Sequence, residues 1–595
     1  MATIRTVRRP EGLRTGSFRA EGPKFDWETQ RPVGAGETYP MFVAGILLAA
    51  FATLICYAKG FTLLYGDAVA HLGIARRITD AHYPGLSQLG GVWLPLPHLL
   101  MLPFVQNIVW WQSGLAAAPM NVLSFAASVA AVWRIARRLM NPRWAMVATA
   151  FYALNPNLLY LASCAMTEPL FLALFTWTTL AVMETVAAIS ATKSRYAARW
   201  MMLTGVLILA MVFTRYDGWV IGAVAWMVIA RKTLRSPKEM RRALAGPLVV
   251  LTLLAVAGPL LWFGYNAKFE GDWLDFMRGP YSAAQIERKT APPGQHYRGW
   301  HSMAWALLFY TRTAQIDAAW WELGFVVLMA ALVGGWLSAR AFSAAGSHQA
   351  ASKASWLLWV PLPFYVYSIA YGSVPIFIPE LWPHSYYNAR YGVELLPAMA
   401  VFAALAADRG AVALRSKSSA TARLTVRFAP LLAGMLCALN LVAMASGLGS
   451  ATLTPHLGAA RSPLDEPLVL KEAIVNAQTR VPFEHELAEL IAQMPADEPI
   501  MMYTSAHIGA LQSAGRPLKS VVSEMDQDAW VKGLADPAAS AAYIIAMQGD
   551  PVQAAVDAHP EGLLEMAVVH TTGQPLTKIY QSTEWKSNEK EGRRE

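Results

Sequence analysis

Between residues 41 and 446 the chain repeats apolar runs of about 17–22 residues, each long enough to cross roughly 30 Å of hydrocarbon. A chain built this way has to place most of its length in a bilayer as α-helices, because helices satisfy their own backbone hydrogen bonds there. Composition agrees: 55% of the residues are hydrophobic and 15% are charged, against about 25% charged in an ordinary soluble domain. The first run follows a polar arm without a small-residue cleavage site, so it reads as a retained span and not a signal peptide. Cys56, Cys164 and Cys437 all fall in or beside apolar runs, which implies packing and no disulfide framework.

Eleven spans are expected, at 41–58, 114–133, 144–163, 168–189, 199–214, 217–231, 247–265, 321–338, 355–371, 391–407 and 428–446. The net charge of +9 comes largely from short loops between them. One loop holds Arg134, Arg137, Arg138 and Arg143, a second Lys193, Arg195 and Arg199. A third runs from Arg231 to Arg242, and a fourth holds Arg409, Arg415, Lys417, Arg423 and Arg427. With an N-terminus inside, all four lie on the cytoplasmic face, the positive-inside pattern. That use of basic residues argues against a nucleic-acid partner. The run 94–111, "LPLPHLLMLPFVQNIVWW", is apolar enough to span but holds three prolines. Counting it would move the Arg134–Arg143 loop outside, so a horizontal or re-entrant helix is expected there.

The domain plan follows. Residues 1–38 read as a disordered cytoplasmic arm and 39–446 as the membrane domain, with long outer loops at 59–113 and 266–320. Residues 447–585 read as a separate soluble α/β domain outside, and 586–595 as a disordered tail. In the outer domain "PIMMYT", "KSVVSE", "AAYIIAM" and "LTKIYQS" are strand-like. "HELAELIAQM" and "DPVQAAVDAH" are helix-like. Ser505 and His507 lie where a strand runs into a helix, and no nucleophile elbow surrounds them, so they read as a helix start.

Polar residues near membrane depth gather on one face, the outside. Asp67 follows the first span, Thr167-Glu168-Pro169 joins spans three and four, "TRYDGW" (214–219) joins spans five and six, and "YYNARYG" (386–392) precedes span ten. Charges at that depth are costly and are usually paired or functional. Each one alone has a plain explanation. Asp67 and Glu168 suit helix N-termini, Arg76 and Arg77 suit snorkelling towards lipid headgroups, and the tyrosines suit an aromatic belt. Asp67 and His71 share a face if their stretch is helical; a zinc site lacks visible further ligands, and an interfacial histidine explains His71 more simply. Arg390 also has a bland partner in Glu394, one α-helical turn on. Four such sites on one face argue for chemistry. Transfer from a lipid phosphate uses this set: the phosphate leaves as a stable anion, so one carboxylate is enough to take the acceptor's proton, while arginine grips the departing phosphate through its planar fork.

Gly66-Asp67, the "HLGIARR" helix after it, "TEPL", "TRYDGW" and "RYGVELLP" resemble the GT-C superfamily of integral membrane glycosyltransferases. The likeness is greatest to the branch of bacterial relatives of protein O-mannosyltransferases and the lipid A aminoarabinose transferase, and it covers about residues 40–446. The resemblance implies a polyprenyl-phosphate sugar donor, inversion at the anomeric carbon and an envelope glycan, lipid or protein as acceptor. It implies Asp67 as the base and Glu168 as a second carboxylate shaping the acceptor site. Arg390 and Arg215 become phosphate holders, and His71, Tyr387 and Tyr391 line the substrate site. The Asp-Glu pair of the O-mannosyltransferases is missing, since Ala68 follows Asp67, and no "WWDYG"-like segment of oligosaccharyltransferases is present. No metal ion or cofactor is therefore expected. The competing readings are a transporter or flippase of a lipid-linked saccharide and a non-catalytic scaffold. A transporter calls for polar residues at mid-span and related halves, which the sequence does not offer.

Overall fold

The computed structural model describes residues 34–290, 294–340, 347–415, 420–446 and 467–585. The expected arm at 1–33, the tail 586–595 and the connection 447–466 lie outside the described residues. Residues 35–38, assigned from sequence to the disordered arm, instead open the first helix, Ala35–Ala58. Glu37 in its first turn meets Arg137 at 3.1 Å, so a partner at the helix-bundle end holds that turn.

Among the described residues seven helices are long and apolar enough to cross a membrane: Gly36–Ala58, Leu115–Leu139, Glu168–Ser190, Ser194–Val212, Lys238–Phe269, Ala389–Leu414 and Leu424–Ala445. An eighth crossing is available to Met303–Ala318 with Leu323–Ala339, which meet at a 108° bend. The protein is thus a polytopic α-helical membrane protein with a small C-terminal sheet. Of the three other apolar runs two are interrupted, and the third is long enough but carries Asp217, Arg231 and Lys232. Residues 144–163 break into Pro142–Ala153 and Pro156–Leu161, where Asn155 caps the second piece by accepting from Leu158 N at 3.0 Å. Residues 355–371 begin as a 3-10 turn before Pro361–Tyr371. Residues 217–231 lie in the single helix Asp217–Leu234. These pieces border the buried polar cluster described below, where irregular backbone is tolerated because protein covers it.

The proline-rich run 94–111 forms two short helices, Leu96–Met101 and Ile108–Ser113, neither long enough to span. The expected outer loop 266–320 ends in the helix Met303–Ala318. Its Arg312 and Asp317 interrupt the hydropathy, which hid it from a window search; the helix packs against the segment 389–395 and the Pro361–Tyr371 helix.

The C-terminal region folds as α/β. Its strands are β1 (Ile500–Met502), β2 (Val521–Val522), β3 (Tyr543–Met547), β4 (Leu563–Val569) and β5 (Thr577–Ser582), in the order β2-β1-β3-β5-β4. β1 pairs in parallel with β2 and β3, and the β4–β5 hairpin adds antiparallel to β3. The β4 sequence LLEMAVV was not expected as a strand. Six of its seven positions are exposed or half-exposed apolar residues or Glu565, so it lacks the alternation of a half-buried strand. The region is not separate from the membrane domain, as the sequence reading had it. Buried residues of its helices Leu468–Ala477 and Arg480–Ala492 belong to one continuous core with the helix bundle.

Candidate active site

The helix Gly66–Arg77 begins where the first span ends, and Asp67 stands in its first turn. Thr167 and Glu168 open the helix Glu168–Ser190. Arg215 lies in the tight turn between Ser194–Val212 and Asp217–Leu234. Arg390 lies in a 3-10 segment, Ala389–Leu395, that leads into the helix Leu396–Arg415. Four chain segments far apart in sequence therefore end at one place, on the face that carries the C-terminal domain.

Arg390 is the centre. Its Nη2 donates to Asp67 Oδ2 at 2.6 Å and its Nε to Glu168 Oε1 at 3.2 Å. Arg215 shares the same Glu168 oxygen, with Nη1 donating at 3.0 Å. Arg215 is ringed by acids and hydroxyls, although its side chain, 14% exposed, is open to a similar degree as that of Arg390. Nη1 also donates to Thr167 Oγ1 at 3.2 Å, Nε to Asp217 Oδ2 at 3.2 Å, and Nη2 lies 3.0 Å from Glu394 Oε1 and 2.9 Å from the Tyr365 hydroxyl. That hydroxyl reaches Asp217 Oδ2 at 2.9 Å and Glu394 Oε1 at 2.7 Å. The Tyr391 ring lies 5.0 Å from both guanidinium carbons, and the Tyr65 ring lies 5.2 Å from that of Arg390, within cation–π range.

Exposure separates the carboxylates. The Asp67 side chain is 41% exposed, whereas those of Glu168, Asp217 and Glu394 are 1% or less. The Arg390 side chain beneath Asp67 is 9% exposed. The site is thus two arginines set on buried acids, and one accessible carboxylate covers the Arg390 guanidinium. Glu168 Oε2 and Glu394 Oε2 are buried and carry no hydrogen bond.

Arg390 does not pair with Glu394. In a 3-10 segment three residues complete a turn, so positions four apart sit about 120° apart around the axis. Glu394 accordingly turns to Arg215 and leaves Arg390 to Asp67 and Glu168. Gly392 is needed at this corner: a Cβ there would lie 2.4 Å from Asp317 Oδ2 and 2.8 Å from Ala314 N.

His71 is buried, with Nδ1 2.9 Å from His98 Nε2 and its ring 4.4 Å from that of Trp93. Burial, and after it the Arg390 and Arg215 charges, push its pKa down to about 3. It faces the cluster as a neutral group. Tyr387, 39% exposed, lies at the rim and pairs with Phe377 through backbone bonds at 2.9 and 3.1 Å. Arg76 and Arg77 do not reach for lipid. Arg76 pairs with Asp80 at 2.8 Å and donates to Val105 O at 2.6 Å over the Trp111 ring. Arg77 is half-buried beside the C-terminal domain, whose Glu524 and Asp526 favour its charge. Neither arginine is left to snorkel freely, since protein surrounds both. Ser505 caps nothing: His507 occupies the N-cap of Ile508–Ala514. Among the described residues no group of three or more His, Cys, Asp or Glu side chains is arranged to hold a metal ion.

Sequence reasoning missed Glu472 altogether. It lies on the C-terminal-domain helix Leu468–Ala477, its side chain 1% exposed and its Oε1 3.7 Å from Arg390 Nη1. Tyr65 donates its hydroxyl to Glu472 Oε2 at 3.1 Å and to Val469 O at 2.9 Å. Burial lifts the Glu472 pKa, and Arg390 opposes the shift. Its only sequence signal is an acid amid LVLKEAIVNA, which any amphipathic helix offers. Asp217 stood inside "TRYDGW", but nothing in the sequence showed which way it turned.

No protein-family model matches the chain, and no curated protein matches it. Solved structures do, two of ArnT among them. ArnT from Cupriavidus metallidurans bound to undecaprenyl phosphate is 14% identical, with a TM-score of 0.53 over 92% of this chain and 98% of that one. The same protein in the apo state is 15% identical, with a TM-score of 0.51 over 90% of this chain and 97% of that one.

Proposed function

We propose, starting from the GT-C fold that this chain shares with the ArnT structures, that it is a membrane glycosyltransferase. It takes a sugar from a polyprenyl-phosphate donor and passes it, with inversion, to a hydroxyl of an envelope glycan, lipid or protein. The observation that carries the reading is the Arg390 guanidinium, seated on buried Glu168 and covered by the exposed Asp67. One ArnT structure holds undecaprenyl phosphate, which supports a lipid-phosphate ligand for this fold.

The donor phosphate replaces Asp67 on Arg390, because both are anions that seek the same fork. Asp67, released, accepts the proton of the attacking hydroxyl as the new glycosidic bond forms and the bond from sugar to phosphate breaks. The leaving phosphate keeps its electron pair as an anion held by Arg390, so no general acid is required. Glu168 and Arg215, which meet at one Glu168 oxygen, act one step back: they fix Arg390 in place, which makes the charge preorganised. Tyr391 and Tyr387 offer ring faces to the sugar. The positive-inside pattern of the loops supports an outward orientation for this face. Purified protein in lipid nanodiscs, given a polyprenyl-phosphate sugar and an envelope acceptor fraction, should form a glycosylated acceptor detectable by mass spectrometry. Donor that remains intact with every acceptor fraction overturns the reading.

A further inference from the structure

The C-terminal domain is bound to the first outer loop along its whole length. Arg480, on the helix Arg480–Ala492, donates through Nη2 to Leu63 O at 2.9 Å and Leu64 O at 3.1 Å. Its Nη1 pairs with Glu484, and the Arg480 side chain is 11% exposed. Tyr65, the next residue, is tied to Val469 O and Glu472. Two turns into the following helix, Gly73 admits Ile508 so closely that a Cβ would lie 2.5 Å from Ile508 Cδ1. Farther along, Lys519 N donates to Asp80 Oδ1 at 3.1 Å, Gln512 Nε2 to Trp111 O at 2.5 Å and Gln112 Nε2 to Ser513 O at 3.0 Å. The two carbonyls that Arg480 holds lie three and four residues before Asp67. The one acid that the domain sends to the opposite side of the cluster, Glu472, meets Arg390.

We infer that the C-terminal domain sets the geometry of the reaction through two positioning residues. Arg480 fixes the backbone that carries Asp67, and Glu472 orients the Arg390 guanidinium. The inference rests on the proposed transfer from a lipid phosphate. Neither residue touches the reacting atoms. Arg480 is a buried cation held by carbonyl oxygens and one acid, and charge-assisted bonds of this kind are the strong ones. Residues 63–65 form no regular element of their own, so their placement depends on these partners. Glu472 accepts from the Tyr65 hydroxyl at 3.1 Å and lies 3.7 Å from Arg390 Nη1, which seats the acid against that guanidinium.

The two roles predict opposite kinetic signatures. Arg480→Gln should lower kcat at saturating donor at least tenfold and leave the donor KM within about twofold, because Arg390 keeps its seat. Arg480→Lys, with one point charge in place of the fork, should recover part of that loss. Glu472→Gln should raise the donor KM at least about fivefold with a smaller change in kcat. Hydrogen exchange gives an arm independent of turnover: in the full-length Arg480→Gln chain the amides of residues 63–69 should exchange at least tenfold faster while β3 and β5 keep their protection. Wild-type kinetics in both variants overturns the inference. So does an equal fall of kcat and rise of KM in both, together with loss of protection across the sheet, since that is damage to the domain. If the unaltered protein transfers no sugar, the glycosyltransfer reading fails, and unchanged exchange at 63–69 in Arg480→Gln then refutes the positioning by itself.

Discussion

The helix bundle carries buried charge at both ends, and the two ends use it differently. At the end opposite the site, Arg138 faces Glu184 in a two-pronged pair, with Nε donating to Oε1 at 2.6 Å and Nη2 to Oε2. The side chains are 15% and 3% exposed, and both carboxylate oxygens are engaged. At the site end, one Glu168 oxygen serves two arginines while the other has no partner, and Arg390 is covered by an acid that solvent reaches. A closed pair holds two helices together. A shared acid beneath an arginine with a displaceable cover leaves a place for another anion. Burial of charge is common to both ends; what sets the site apart is a partner that can leave.

The comparison breaks first at Asp67. Asp67→Asn should lower kcat by about 10²–10⁴-fold, the usual worth of a general base, while the thermal midpoint stays within a few degrees. Steady-state transfer by the purified variant checks this, and near-wild-type turnover removes Asp67 from the chemistry. The opposite end should respond in stability and not in rate. Glu184→Ala strands Arg138 in the bundle and should cost roughly 3 kcal/mol, read as a lower thermal midpoint with kcat unchanged in the surviving protein. A matching loss of kcat there would mean that the two ends do not divide the work as described.

Acid should also act on the site end. The His71 pKa lies at about 3 in the folded protein, below an ordinary value of about 6.5. Its contribution to stability is therefore complete above pH 6.5 and is lost as the pH falls towards 3. Near the middle of that window the loss approaches about 1.4 kcal/mol per pH unit. Thermal midpoints at pH 7.5 and 5 should differ more for the wild type than for His71→Gln; equal differences would place the acid sensitivity elsewhere. The smallest effect is expected from Arg390→Lys, which keeps the charge and loses the fork. About tenfold in kcat/KM should go with it, or roughly 1.4 kcal/mol, with kcat falling as well as KM rising. Unaltered constants would return Arg390 to a bracing role like that of Arg138.

Much of this was legible in the sequence, for a physical reason. Charge at membrane depth is expensive enough to be noticed residue by residue, so Asp67, Glu168, Arg215 and Arg390 stood out although up to 323 positions separate them. The strands β1, β2, β3 and β5 showed as short β-branched or apolar runs. Partners did not show. Glu394 was matched with Arg390 by α-helical spacing, and the 3-10 turn at 389–395 sends it to Arg215 instead. Glu472 and Arg480 lie in helices of ordinary soluble composition, where one inward acid or base looks like any other. The Met303–Ala318 helix was hidden because Arg312 and Asp317 spoil its hydropathy. Cost marks which residues matter; geometry decides what they meet.

The account stands or falls on Asp67 and the donor phosphate competing for Arg390. Binding of a polyprenyl phosphate to the purified protein in nanodiscs, followed by titration calorimetry, tests this directly. Asp67→Asn removes the covering charge and should bind at least as tightly as the wild type, while Arg390→Ala should bind at least tenfold more weakly. Equal weakening in the two variants, or no change in Arg390→Ala, would contradict it.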